Sequence, residues 1–266
     1  MDQYLAPSAA YCASDQIMAW DCGEPCEQAT KPTVLATGGD NKANPLWYVA
    51  KNGTHIIVSI AGTNPASVRS IANDIDFRPV EINTDLFPDA PESTRMHHGF
   101  QSTFERMSEG ISTAVQQEVA AGTKDVLVVG HSQGGALGHL AAVHIQRKIP
   151  DTNVVARIFA APRVGNQDWA DYVDSTLGVF AQHMTNLDDI VPQLPPADWG
   201  FAHSSNEIWI SDKDDKHYIA CPEGESKECQ AGLGLVGHMS ELPANLKVLS
   251  HLGDYAGVRF GSQRCK

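Results

Sequence analysis

The sequence predicts a single α/β domain over residues 1 to 266, built on a central, mostly parallel sheet flanked by helices. Three observations carry that expectation. Short apolar runs rich in β-branched residues, Val126 to Val129 above all, alternate with longer stretches of helical spacing. The 266 residues are 42% hydrophobic, which is enough to bury a substantial core without a second module. No internal repeat, low-complexity segment or long linker divides the chain.

Taken in order, residues 1 to 20 mix Ala, Ile, Met and Trp at loosely helical spacing and predict a packing helix, with a loop over 21 to 32. Leu46 to Ala50, the turn Lys51-Asn52-Gly53-Thr54 and His55 to Ile60 read as a β-hairpin, Asn-Gly being a type I′ signal. Asn52-Gly-Thr is also a glycosylation sequon on an exposed tip, so Asn52 is a candidate acceptor. Within 65–76, Val68, Ile71, Ala72 and Ile75 recur at i, i+3, i+4 and i+7, the narrow apolar stripe of a short amphipathic helix. A strand is expected over Phe77 to Ile82 and an amphipathic helix over 101 to 119. His97 and His98 are adjacent, so their side chains diverge, and they read as structural rather than metal-binding. Val154 to Ala160 and Phe180 to Met184 predict two further strands, and Asn166 is placed to cap the helix after the first.

The segment Lys124 to Gly138 organises the rest, because it reads as a buried strand, an abrupt turn and the start of a helix. Gly130-His131-Ser132-Gln133-Gly134 completes G-x-S-x-G, the nucleophile-elbow pattern of α/β-hydrolases. A serine held at a tight strand-to-helix turn needs neighbours without Cβ atoms, and the turn lifts its Oγ clear of the sheet. The helix N-terminus then points at Ser132, where its positive end favours a developing oxyanion. Ser132 is the candidate nucleophile. An acid and a base should follow. Asp188 and Asp189 compete for the first role, in Asn186-Leu-Asp-Asp-Ile-Val-Pro192, at the carboxyl end of a predicted strand where catalytic groups gather. His251, near the C-terminus, completes the chain order Ser, Asp, His. His131 adjoins the nucleophile, so its side chain should point away from Oγ. His139 and His144 read as packing residues of the elbow helix.

The formal charge of −13 argues against a nucleic-acid partner and against adhesion to anionic headgroups. No run of about 18 apolar residues predicts a transmembrane helix, and residues 1 to 11 lack the basic and apolar regions of a signal peptide. Six cysteines nevertheless fit an oxidised, extracellular protein read in its mature, secreted form. They allow fifteen pairings, among which spacing alone does not choose. A local Cys22–Cys26 bridge is preferred to a metal site, since no His or Cys cluster completes a tetrahedral shell beside them. A Cys12–Cys265 bridge would staple two fraying ends, and Cys221–Cys229 would then close the loop 222 to 228.

Several further segments, in order, give the chain a likeness. Ala61-Gly62-Thr63 ends a strand upstream of the nucleophile, and Ala161-Pro-Arg-Val-Gly-Asn166, Asp189-Ile-Val-Pro, His203-Ser-Ser and His251-Leu252 follow. From about Tyr11 to Cys265 the sequence resembles the class 3 lipases, the filamentous-fungal triacylglycerol lipase type with the α/β-hydrolase fold. It departs from them in carrying Ala61 where many members have Arg, and Pro88 and Pro91 where many have a short disulfide loop. The resemblance implies that Asp189, directly before Ile-Val-Pro, is the triad acid and His251 the base. It implies that Thr63, through backbone N–H and hydroxyl, and Gln133, through backbone N–H, form the oxyanion hole. It places a lid over 65–76 (Val68, Ile71, Ile75) above the active site, and the lack of Trp there implies modest interfacial activation. The implied activity is hydrolysis of triacylglycerol through an acyl-enzyme on Ser132, on a lipid ester substrate at an oil–water interface, with no cofactor and no metal. Feruloyl and sterol esterases, acyltransferases and a silent lipid-binding protein are the alternatives on the same scaffold.

Overall fold

Eight strands lie side by side in chain order in the computed structural model, which describes residues 6–63, 77–213, 217–234, 250–255 and 257–266. They are β1 (Thr33–Gly38), β2 (Trp47–Asn52), β3 (His55–Ile60), β4 (Asp125–His131), β5 (Asn153–Phe159), β6 (Ala181–Asn186), β7 (Glu207–Ile210) and β8 (Tyr218–Cys221). From β3 to β7 every neighbouring pair is parallel, whereas β1–β2, β2–β3 and β7–β8 are antiparallel. The carboxyl ends of the parallel strands therefore share one edge, and the loops carrying Thr63, Ser132 and Asp189 all leave from it.

Alternation along the strands divides the core in two. Val49, Ile56, Val58, Ile60, Val126 and Val128 face the helices α4 (His98–Ala120), α5 (Gln133–Lys148) and α6 (Gln167–Leu177), which contribute Phe100, Phe104, Leu137, Leu140 and Trp169. Tyr48, Ala50, Ile57, Leu127, Val129 and Phe159 face the other way, onto the two ends of the chain. There the short helices α1 (Ala6–Ala9), α2 (Ser14–Ala19) and α3 (Glu24–Glu27) pack together with Tyr255, Val258 and Phe260.

The structure alters several sequence expectations. The N-terminal helix is two pieces, the second stopped by Trp20 in a left-handed conformation (φ 52°), and the expected loop over 21 to 32 contains α3, with Pro25 in its first turn. In the hairpin Asn52 pairs with His55, so Gly53 and Thr54 occupy the centre of the turn. Gly53 has φ +60° and Thr54 is not among the positive-φ residues, which is the sign pattern of type II′ and not of I′. The strand expected over Phe77 to Ile82 shortens to Pro79–Glu81 and joins a separate antiparallel sheet with Arg95–His97, Gly165–Asn166 and Phe201–Ala202. Helix α4 starts earlier than expected because His97 caps it, Nδ1 accepting the Phe100 N–H at 3.3 Å. Asn166 caps α6 through the Trp169 N–H. Disulfides join Cys12 to Cys265, Cys22 to Cys26 and Cys221 to Cys229. Val68, Ile71 and Ile75, with the whole lid segment 65–76, lie outside the described residues.

Candidate active site

Strand β4 ends at His131, α5 begins at Gln133, and Ser132 between them has φ 58° and ψ −129°. A non-glycine residue holds such a conformation only where its surroundings over-determine it. Here the Ser132 N–H donates to the Phe159 carbonyl at 2.9 Å, and the Ser132 carbonyl accepts from the Gly135 and Ala136 N–H groups. The flanking glycines are fixed by contact. A Cβ on Gly134 would lie 2.2 Å from the Ile60 carbonyl oxygen, and one on Gly130 would lie 2.1 Å from the Gly134 oxygen. Strand, turn and helix thus close on one another around the serine. Its Oγ is buried and has no hydrogen-bond partner among the described residues.

The two competing acids separate clearly. Asp189 Oδ2 lies 2.8 Å from His251 Nδ1, and both residues are 0% exposed. Its carboxylate also accepts the Val191 N–H at 2.9 Å and the Tyr255 hydroxyl at 3.3 Å, while its backbone carbonyl accepts the Gln230 amide at 2.7 Å. Asp188 instead accepts the Ser250 hydroxyl at 2.5 Å, beside the histidine but not on its ring. Burial, and then the Asp189 charge, hold the Tyr255 phenol well above its ordinary pKa, so it is a neutral donor. With Nδ1 directed at the carboxylate, His251 Nε2 is left buried and unpaired among the described residues. Ser132 Oγ and His251 Nε2 are therefore both unsatisfied, as they would be where a catalytic hydrogen bond tightens only with substrate bound.

Thr63 Oγ1 donates to Gln133 Oε1 at 2.8 Å, tying the loop after β3 to the first residue of α5. As that first residue, Gln133 has a backbone N–H without an intrahelical acceptor. Beside Ser250, a cleft of about 730 Å³ is bounded by Asp188, Trp209 and Leu233 among others. Of the remaining histidines, His144 bonds the Leu86 carbonyl and Ser112, as a packing residue would. Among the described residues no group of three or more His, Cys, Asp or Glu could hold a metal ion. Sequence reasoning missed Tyr255 and Gln230. Neither carries a local motif, and both reach Asp189 only through the folded loops.

A strained serine at a strand-to-helix elbow, with a buried Asp–His pair at the same sheet edge, invites comparison with known proteins. The model of the family "Lipase (class 3)" matches residues 57–199, more than half of the chain. The chain belongs to the class 3 lipases. It is 33% identical to a secreted mono- and diacylglycerol lipase of Malassezia globosa over 180 residues, 67% of this chain and 59% of the relative. Lipase II of Rhizopus niveus superposes with a TM-score of 0.82 at 28% identity, covering 98% of this chain and 94% of that one. A triacylglycerol lipase whose catalytic centre is described as a serine protease triad superposes at 0.81 with 27% identity, over 98% and 94% of the two chains. The chain has the α/β-hydrolase fold, a mostly parallel sheet flanked by helices, in common with the lipases on which it superposes. The chain spans 59% to 62% of the length of three curated Malassezia lipases.

Proposed function

We propose that this class 3 lipase is a secreted serine carboxylic-ester hydrolase acting on acylglycerols through an acyl-enzyme on Ser132. The observation that carries the reading is the buried Asp189–His251 pair, its Nε2 without a partner among the described residues, at the sheet edge where Ser132 is held in a strained elbow. Ser132 Oγ attacks the ester carbonyl as His251 Nε2 takes its proton, and Asp189, 2.8 Å from Nδ1, fixes the tautomer and stabilises the imidazolium. The oxyanion is met by the N–H groups of Thr63 and Gln133 together with the Thr63 hydroxyl. His251 then gives its proton to the departing alcohol, and water cleaves the acyl-enzyme by the same route. The names of its relatives span mono-, di- and triacylglycerol lipases, and the acyl-enzyme chemistry is common to all three.

Residues 65–76 are proposed as the lid of a single domain, and Asn52 as a glycan acceptor at the sheet end opposite the active site. Secretion is supported by the names of its relatives and by three disulfides. The test is hydrolysis of triolein, diolein and monoolein emulsions, with methyl ferulate and a cholesteryl ester alongside. Ser132→Ala should lower hydrolysis roughly 10⁴-fold or more with an unchanged fold. Undiminished hydrolysis in that variant would overturn the assignment, and turnover of the ferulate or sterol ester alone would move the substrate class.

A further inference from the structure

The residue before the nucleophile has no role in the chemistry above, yet it is among the most constrained side chains in the molecule. His131 is 1% exposed, its ring stacks on Phe260 at 4.2 Å with an interplanar angle of 6°, and the rings of His251 at 4.6 Å and Tyr255 at 5.7 Å also lie against it. His131 Nε2 lies 3.0 Å from the backbone carbonyl of His251, and Nδ1 lies 2.7 Å from the Tyr11 hydroxyl. Tyr11, 7% exposed, also accepts the backbone N–H of Gly62, the residue before Thr63. Gly62 is packed so closely that a Cβ there would lie 2.5 Å from the Tyr11 oxygen and 2.9 Å from Ser132 Cβ.

The protons in this chain have one consistent arrangement. A carbonyl can only accept, so His131 Nε2 carries a hydrogen. Burial, and then the nearness of His251, press the His131 pKa well below its ordinary value, so the ring is neutral and Nδ1 is an acceptor. Tyr11 must then donate to Nδ1, which leaves its lone pairs for the Gly62 N–H. Every donor has one acceptor, and the three bonds point the same way, from the oxyanion loop to the base.

We propose that Tyr11 and His131 form a directional strut that positions His251 relative to the Thr63 loop. They are positioning residues for the hydrolysis proposed above, and the inference rests on that reading. The strut is itself braced by the two ends of the chain. Tyr11 precedes Cys12, whose disulfide to Cys265 holds the C-terminal segment that supplies the Phe260 stack. A neutral His131 also lets the neighbouring His251 become imidazolium without a second positive ring against it.

Tyr11→Phe keeps the ring and removes the hydroxyl, and His131→Gln keeps a donor at the Nε2 position while losing the Nδ1 acceptor. With active sites counted by a serine-directed phosphonate, each should lower kcat roughly tenfold, the usual scale for a lost orienting hydrogen bond, with KM changed less than about twofold. The double variant should be no worse than the poorer single one, because both break the same strut. Parent-like kcat in Tyr11→Phe, or effects that multiply in the double variant, would overturn the proposal. Histidine ¹⁵N spectra give a readout independent of turnover. His131 should remain the Nε2–H tautomer from about pH 8 to about pH 5, and Tyr11→Phe should shift its Nδ1 resonance. An Nδ1–H tautomer or an imidazolium in that range refutes the strut. If the parent is not labelled by the phosphonate at Ser132, the hydrolase reading fails by itself, and the spectra still decide the strut.

Discussion

Two clusters of buried histidine flank the acid loop, and only one of them is built to carry a proton. At the sheet edge His251 has a carboxylate on one nitrogen and, among the described residues, no partner on the other. Deeper in the fold, His183 stacks on His203 at 4.9 Å and lies 6.3 Å from His139. His139 Nε2 and His183 Nδ1 are also unpaired among the described residues, and His203 Nε2 donates to the Pro192 carbonyl. Among the described residues no carboxylate makes a hydrogen bond or ion pair to the rings of this second cluster, and Glu225 acts on His183 and His203 only through its charge. Glu225 is turned instead to Arg163, with two bonds of 2.7 Å, and to the His203 backbone N–H. Burial is common to both clusters. A carboxylate on the ring is the difference, and it decides whether an imidazolium can form at low cost.

The strongest way to break this contrast is to remove that carboxylate. Asp189→Asn should lower kcat/KM roughly 10⁴-fold, because an amide can present its N–H to Nδ1 and favour the wrong tautomer of His251. Asp188→Asn, which changes only the acceptor of the Ser250 hydroxyl, should cost less than about tenfold. Equal losses in the two variants would mean that the acids share the role. Steady-state kinetics on a soluble ester, where no interface intervenes, make the comparison.

The second cluster should reveal itself in stability rather than rate. Burial lowers His139 to about 3 and His183 to about 3, and burial with the Arg163 charge lowers His203 to about 4. Each value lies below the ordinary 6.5, so the unfolded chain takes up these protons first. Stability is full above about pH 6.5 and is lost as pH falls from there toward about 4. Glu225 acts in the same direction at lower pH. Burial would raise it, but the bonds from Arg163 and the nearby positive charge outweigh burial and bring it to about 2, so its contribution fades below about pH 4.5. Thermal melts between about pH 7.5 and about pH 4 should show a falling midpoint, with protons taken up on unfolding by these three histidines and by His131, which burial also holds below its ordinary value. A flat midpoint over that range would falsify this account.

The disulfides extend the comparison to the ends of the chain. Cys12–Cys265 closes a separation of 253 residues and Cys22–Cys26 one of 4. In the chain-entropy account, losing the first costs about 5 kcal/mol and the second about 2 kcal/mol. Double serine variants compared by urea denaturation test the difference. Only the first should also lower kcat, because only the first braces Tyr11 and Phe260.

Much of this architecture was legible in the sequence, and the limits were physical. The hairpin and the elbow strand β4 announced themselves because their apolar runs are almost wholly buried and bounded by turn residues, and β5 and β6, where buried residues alternate with half-buried ones, were legible beside them. β1, β7 and β8 did not. They lie toward the sheet edges, several of their residues are only half-buried, and the link between β7 and β8 is rich in Asp and Lys, so no clean alternation survives. At the site, chain order and local motifs pointed to Ser132 and His251 and left Asp188 and Asp189 open, and the resemblance to the class 3 lipases singled out Asp189, completing the set on which the proposed chemistry rests. Tyr11, Gln230 and Tyr255 act through contacts made across the fold, and their surroundings in the sequence carry no sign of it.

A local effect lies away from both clusters, at Asn166, where a cap turns out to be more than a cap. Its Oδ1 accepts the Trp169 N–H at 3.2 Å and also the Arg95 N–H at 3.0 Å, and its Nδ2 donates to the Ser93 carbonyl at 3.0 Å. One side chain thus starts α6 and pins the loop before α4. An N-cap alone is worth about 1 kcal/mol, and two further bonds to a distant backbone raise the expected cost of Asn166→Ala to about 2 kcal/mol. Asn166→Ser separates the two shares. Serine can still cap the helix, but its shorter side chain offers no amide to the Ser93 carbonyl, so it should recover about half of the loss. Full recovery would reduce Asn166 to a cap, and no recovery would place its whole contribution in the loop.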